Sequence, residues 1–175
     1  QLLVFSKGKM AFREIISIKD TIENSVGFYL NNSASDYKLD LADNLWNVLI
    51  DRGLFDQVLN NIIDNADESM PNGGTITIKA FNINIDHSNN LPIANGKYIC
   101  IQVSDKGSGI EENILQNIFD PYFTTRKESS GLGLTTAFTI IQKYGGHITV
   151  ESIKHKSTTF SIYIPAVDSS SSTED

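Results

Sequence analysis

The stretch Leu54-Phe55-Asp56-Gln57-Val58-Leu59-Asn60-Asn61-Ile62-Ile63-Asp64-Asn65-Ala66-Asp67-Glu68-Ser69-Met70 carries the clearest helical signal in the chain. Its apolar residues recur at Leu54, Phe55, Val58, Leu59, Ile62, Ile63, Ala66 and Met70, a stripe wide enough to face a core. Pro71-Asn72-Gly73-Gly74 stops the helix. Residues 75–85 then alternate through Ile76, Ile78 and Ala80, the period of a strand with one buried face.

Working outward toward the N-terminus, residues 46–50 and 37–41 read as short strands and 31–36 as a polar turn. Ser17 or Asp20 is a candidate cap for a helix reaching Leu30, with Ile22, Val26 and Leu30 on one face, and residues 12–18 form a strand before it. Residues 1–10 read as the last turns of another helix, closed by Gly8. Toward the C-terminus, 87–96 is a polar loop, 98–104 a strand and 113–119 a short helix. Residues 120–131 are loop-like, and 132–144 is a helix stopped by Gly145-Gly146. Residues 147–153 and 158–165 form a terminal hairpin, and the Ser-rich acidic run 168–175 reads as a disordered tail. Strands and helices mix without regular βαβ alternation, and the hairpin demands antiparallel pairing. The expected fold is therefore α/β in the α+β sense: a two-layer sandwich, a mixed β-sheet with helices packed on one face.

Composition narrows the function classes. The 175 residues are 40% hydrophobic and 20% charged, enough for a real core. No apolar run approaches the roughly 20 residues of a membrane span. Cys100 is the only cysteine, which excludes a disulfide framework and a Cys-based metal cluster. A net charge of −7 argues against non-specific binding to a nucleic-acid backbone, but not against a nucleotide gripped locally. The start has no basic leader, no small-residue cleavage site and no Met, so the chain is expected to be a piece of a longer protein.

Four local patterns could carry chemistry. Asn61 and Asn65 share one face of the 54–70 helix, and amide oxygens are hard neutral ligands suited to Mg²⁺. The chain holds 16 Asn, however, so the pair taken alone reads first as a solvated helix face. Asp105-Lys106-Gly107-Ser108-Gly109 follows a strand: a carboxylate there can accept from an exocyclic amine, and the glycines admit a flat ring, though the residues also suit a plain turn. Phe119-Asp120-Pro121-Tyr122-Phe123-Thr124-Thr125-Arg126-Lys127 puts aromatics on a loop beside groups able to meet phosphate oxygens, or simply anchors that loop. Gly131-Leu132-Gly133-Leu134 opens a helix whose free N–H groups form an anion site, or packs closely.

In this order and on these elements, the four patterns resemble the N, G1, F and G2 boxes of the catalytic, ATP-binding domain of sensor histidine kinases. That domain shares its superfold with the ATPases of gyrase, heat-shock chaperones and mismatch-repair proteins. The resemblance covers about residues 12–165. It implies that Asp105 accepts the adenine amino group and that Gly107, Gly109 and Ile110 shape the base pocket. Asn65 would bind Mg²⁺ with Asn61 beside it, and Thr124, Thr125 and Arg126 would meet the phosphates. Gly131, Leu132, Gly133 and Leu134 would offer amides to the phosphates, and Thr158 would lie near adenine. Residues 120–131 would be a lid pinned by Phe119 and Phe123. Residues 1–11 would end an upstream dimerisation helix and linker, 12–166 would be the ATP-binding domain and 167–175 the tail.

The implied cofactors are ATP and Mg²⁺, and the implied catalytic residues Asn61, Asn65 and Arg126. The implied reaction is transfer of the γ-phosphoryl group to a histidine on a dimerisation helix outside this chain. His87, His147 and His155 all lack the Glu-x-x-Asn/Pro continuation of the family's phosphoacceptor and are expected to be structural or surface residues. Implied partners are the upstream dimerisation and phosphoacceptor domain and a response regulator receiver domain. Neither nucleic acid nor membrane contact is expected of this piece. It is expected to be monomeric and cytoplasmic, within a homodimeric full protein whose membrane attachment stays open.

Three departures from the family pattern stand out: Ser129 and Ser157 replace glycines, and acidic Asp67 and Glu68 follow the second Asn. Alternatives are an ATP hydrolase of the same superfold, or a non-catalytic ATP-binding or docking module. The hydrolases place a Glu where Asn61 stands, and an amide is a poor general base.

Overall fold

The computed structural model describes residues 12–125 and 130–167. The expected helix end in 1–11, Arg126, Lys127, Ser129 and the tail from 168 lie outside the described residues. Strand β1 (Glu14–Ser17) is shorter than the alternation suggests, because Ser17 is already a helix cap. Its Oγ accepts from the Asp20 amide at 3.2 Å, and the chain turns at once into α1 (Ile18–Tyr29). Asp51 does the same for α2 (Arg52–Glu68), accepting from the Leu54 amide at 3.0 Å. That helix starts two residues before the apolar pattern does, since Arg52 and Gly53 add nothing to the stripe. Phe55, Val58, Leu59, Ile62, Ile63 and Ala66 are all buried, as their spacing requires.

The remaining strands are β2 (Asp36–Leu41), β3 (Asn47–Ile50), β4 (Thr75–Ile85), β5 (Gly96–Asp105), β6 (His147–Ile153) and β7 (Ser157–Val167). They form one sheet in the order β1-β3-β7-β5-β4-β2, with β6 also on β7. The sheet is mixed as expected: β2 and β4 are parallel and the other pairs antiparallel. Strand β7 serves two neighbours along one edge, pairing β6 from Ser157 to Tyr163 and β3 at Ala166 and Val167. Val167 thus belongs to the sheet rather than to the tail, one residue beyond the boundary expected from sequence. The expected helix at 113–119 is a 3-10 helix, Glu112–Asn117.

Ile78 of β4, Ile101 of β5 and Ile162 of β7 stand on one face of the sheet and meet α1, α2 and α3 (Gly133–Lys143) in a single core. Cys100 points to the opposite face, yet it is buried there, and burial pushes its thiol up to about 12, far from reactive. This two-layer packing holds the C-terminal half of α2 beside the end of β5 and the start of α3. Phe160→Ala, which empties a fully buried position in β7, is expected to cost about 3–5 kcal/mol in urea unfolding. Leu49→Ala, 40% exposed in β3, should stay within about 0.5 kcal/mol of the parent.

Candidate functional site

A cleft of about 650 Å³ opens between α2, the turn after β5, the β6–β7 turn and the segment leading into α3. Asn61, Asp64, Asn65 and Glu68 line it from α2, a spacing that puts all of them on one helical face. The Asn61 side-chain amide donates to the Gly133 carbonyl at 3.0 Å. A carbonyl only accepts, so the Asn61 NH₂ group gives one of its two N–H donors to α3. Thus the first helical turn of α3 is tied to the helix that carries the asparagines.

Asp105 ends β5, opposite Thr158 of β7, and is 2% exposed. Its Oδ1 accepts from the Ser69 hydroxyl and from the Gly107 amide, each at 2.9 Å. The close approach that the glycines allow is first of all to protein. Gly109 has φ +62°, and a Cβ there would lie 2.1 Å from the Ile153 carbonyl oxygen. The β6–β7 turn is latched onto the same loop: the His155 amide donates to the Ser108 carbonyl at 2.7 Å, and the Ile110 amide to the Ser152 hydroxyl at 2.8 Å. The Ser152 hydroxyl also lies 2.8 Å from Thr158 Oγ1. At the rim, Lys154 pairs with Glu111.

The aromatic segment is anchored as its sequence suggests. Phe119 stacks on Phe138 of α3 with centroids 4.8 Å apart and meets Phe160 edge-on at 6.3 Å. Thr135 of α3 donates to the Phe119 carbonyl at 2.9 Å, and the Tyr122 amide to the Gly131 carbonyl at 3.1 Å. Phe123 packs against the core beside the cleft. Thr124, Thr125, Gly131, Gly133 and Leu134 line the cleft, whereas Leu132 is the N-cap of α3 and contributes no lining. Helices α1 and α2 have side-chain caps, whereas α3 has no side-chain cap bond from its N-cap Leu132 among the described residues. Its first N–H groups are the kind of orphan donors that an anion satisfies.

Of the expected site residues, the structure brings Asn61, Asn65, Gly109, Ile110, Thr124, Thr125, Gly131, Gly133, Leu134 and Thr158 to one cleft. Asp105 and Gly107 lie directly behind its wall through Ser69, and Arg126 falls outside the described residues. Sequence reading gave no site role to Asp64, Glu68, Ser69, Lys154 or His155, which also line the cleft. Continuing the i, i+3, i+4 face from Asn61 and Asn65 would have found the first two. Asp64 is raised above the usual carboxylate range, first by burial and then by Glu68 and Asp67. Asp67 itself turns away and accepts from the Ser33 hydroxyl at 2.5 Å. Hence the α2 wall presents carboxylates and amides together, a surface that would take a polyanion only along with a cation.

Residues 50–168 match the family model of histidine kinase-, DNA gyrase B- and HSP90-like ATPases. The sensor kinase CckA of Brucella abortus is 36% identical over 94% of this chain, and sporulation kinase E of Bacillus subtilis 32% identical over 85%. In both cases the match spans only 18% of the relative's length. Among solved structures, a mycobacterial sensor histidine kinase, MprB, superposes with a TM-score of 0.73 at 21% identity, over 89% of this chain and 98% of that one.

Two outcomes follow from this geometry. Gly109→Ala should open the latch between the β5 and β6–β7 turns and cost more than about 1 kcal/mol in urea unfolding, because both its φ and its space exclude a Cβ. Folded Asp64 binds its proton more tightly than unfolded Asp64, so its contribution to stability falls as pH rises through the raised value. Asp64→Asn should therefore melt higher than the parent at pH 7. The two curves should converge once the pH drops below the ordinary Asp range.

Proposed function

The chain belongs to the histidine kinase-, DNA gyrase B- and HSP90-like ATPases and is a catalytic domain of the sensor histidine kinase kind; from that premise we propose that its cleft holds Mg·ATP and presents the γ-phosphoryl group to a histidine outside this chain. The observation that carries this reading is one continuous cleft with a buried, doubly held carboxylate behind one wall and, in another, the start of α3, which has no side-chain cap among the described residues. A purine triphosphate needs such ends: an acceptor for an exocyclic amine and donors for phosphate oxygens.

Asp105 accepts from the adenine amino group, with Gly107, Gly109, Ile110 and Thr158 shaping the base pocket. The amides of Gly131, Leu132, Gly133 and Leu134 receive phosphate oxygens, and Thr124 and Thr125 add hydroxyls. Arg126 supplies a cation for the γ-phosphate. Asn65 and Asn61 present the hard oxygen donors that suit Mg²⁺, and the acidic α2 wall adds to the demand for a cation there. When bound, Mg²⁺ supplies neutralisation of phosphate charge. The residues of the chain position and neutralise; no side chain needs to form a covalent intermediate.

Transfer is favoured over hydrolysis at the position where the hydrolases of this superfold place a general base. That position is Asn61, and its amide is engaged with Gly133. The acceptor lies elsewhere, since His87, His147 and His155 all lack the Glu-x-x-Asn/Pro continuation of the family's phosphoacceptor. The partners that follow are an upstream dimerisation and phosphoacceptor domain and a response regulator receiver domain, with the longer protein a homodimer and this piece a monomer. Among the described residues no helix is long and apolar enough to cross a membrane. The site belongs in the cytoplasm, where ATP is.

Calorimetric titration should show ATP binding that depends on Mg²⁺, and Asp105→Asn should weaken it about tenfold to a hundredfold. Given a dimerisation domain in trans, the chain should transfer phosphate in an acid-labile form. Steady hydrolysis without an acceptor would make it a hydrolase, and a folded chain that binds no ATP would make it a docking module.

A further inference from the structure

Ser69 is the residue where α2 ends and the base pocket begins. It is the C-cap of α2 and is 8% exposed. Its hydroxyl lies 2.7 Å from the Ala66 carbonyl and 2.9 Å from Asp105 Oδ1. A hydroxyl has one proton for these two acceptors. The Ala66 carbonyl is already served by the Ser69 backbone amide at 3.2 Å, so the hydroxyl proton can go to the carboxylate without leaving that carbonyl orphaned. Charge makes the carboxylate the stronger acceptor.

We propose that Ser69 is a positioning residue for base recognition: its hydroxyl fixes the plane of the Asp105 carboxylate that reads the purine 6-position. The torsion that turns a carboxylate about its own axis is broad and soft. Oδ1 is held from two directions, by Ser69 Oγ and the Gly107 amide, which removes that freedom. With Oδ1 taken up by these two donors, Oδ2 is the carboxylate oxygen left for the base. Gly107 completes the device, since a Cβ there would lie 2.1 Å from Ser69 Oγ. The loop itself does not depend on the hydroxyl. The Ser108 amide donates to the Ser69 backbone carbonyl at 3.1 Å, a bond that alanine at position 69 would keep.

This proposal rests on the reading that Asp105 receives the adenine amine, and a ligand pair separates the two claims. Mg·ATP is compared with Mg·purine riboside 5′-triphosphate, which carries hydrogen in place of the 6-amino group. Parent, Ser69→Ala and Ser69→Cys chains are titrated with both, and thermal melts confirm that each is folded. Ser69→Ala should weaken ATP about threefold to tenfold and leave the purine riboside triphosphate unchanged. Ser69→Cys, similar in size but a weak donor, should fall with alanine. Equal weakening of both ligands, unchanged ATP affinity in Ser69→Ala, or a cysteine variant that matches the parent would assign Ser69 to packing and overturn the proposal. A parent chain that binds the two nucleotides equally would overturn the role of Asp105, and that of Ser69 with it.

Discussion

The fold turns on one buried carboxylate. Asp105 sits where β5 leaves the sheet, and its Oδ1 gathers the C-terminus of α2 through Ser69 and the following turn through Gly107. A carboxylate this deep is costly unless it is hydrogen-bonded. Its bonds can form only if helix, strand and turn meet within a few ångströms. The core packing of α2 against β4 and β5 brings them there. The polar cluster and the apolar core therefore specify the same geometry, and the cleft is the space that remains beside it.

The walls of that cleft come from three kinds of constraint. Periodicity aims the amides and carboxylates of α2, aromatic anchors hold the segment before α3, and the bonds from the His155 amide to the Ser108 carbonyl and from the Ile110 amide to the Ser152 hydroxyl fasten the β6–β7 hairpin. Only the first is local. Asn61 to Gly133 and Ile110 to Ser152 link residues far apart in the chain. Loss of either would leave most of the sheet intact while loosening the cleft, which makes the site more sensitive to sequence than the scaffold is.

Legibility in the sequence follows the same division. The α2 stripe, the alternation of β4 and β5 and the terminal hairpin all turn a row of apolar residues to the core, and that leaves a period that can be counted. The Asp51 cap and the shift of β7 from β6 to β3 leave no period, so α2 starts earlier and β7 ends later than the pattern indicates. Within the site, the glycines and asparagines could be read because their chemistry is unusual for their positions. Ser69, Lys154 and His155 could not, because a serine at a helix end and a basic turn look like ordinary surface until the fold sets them beside Asp105 and Ser108. His155 takes φ +62°, a left-handed conformation that no sequence rule would have required of it.

The most direct test of the account is to map the nucleotide site on the chain by amide NMR during titration with Mg·ATP. Shifts should gather at the C-terminal half of α2, the 105–110 turn, the start of α3 and Thr158, and should shrink when Mg²⁺ is withheld. Shifts confined to the outer face of β1 and β3, or none at all from a folded chain, would contradict it.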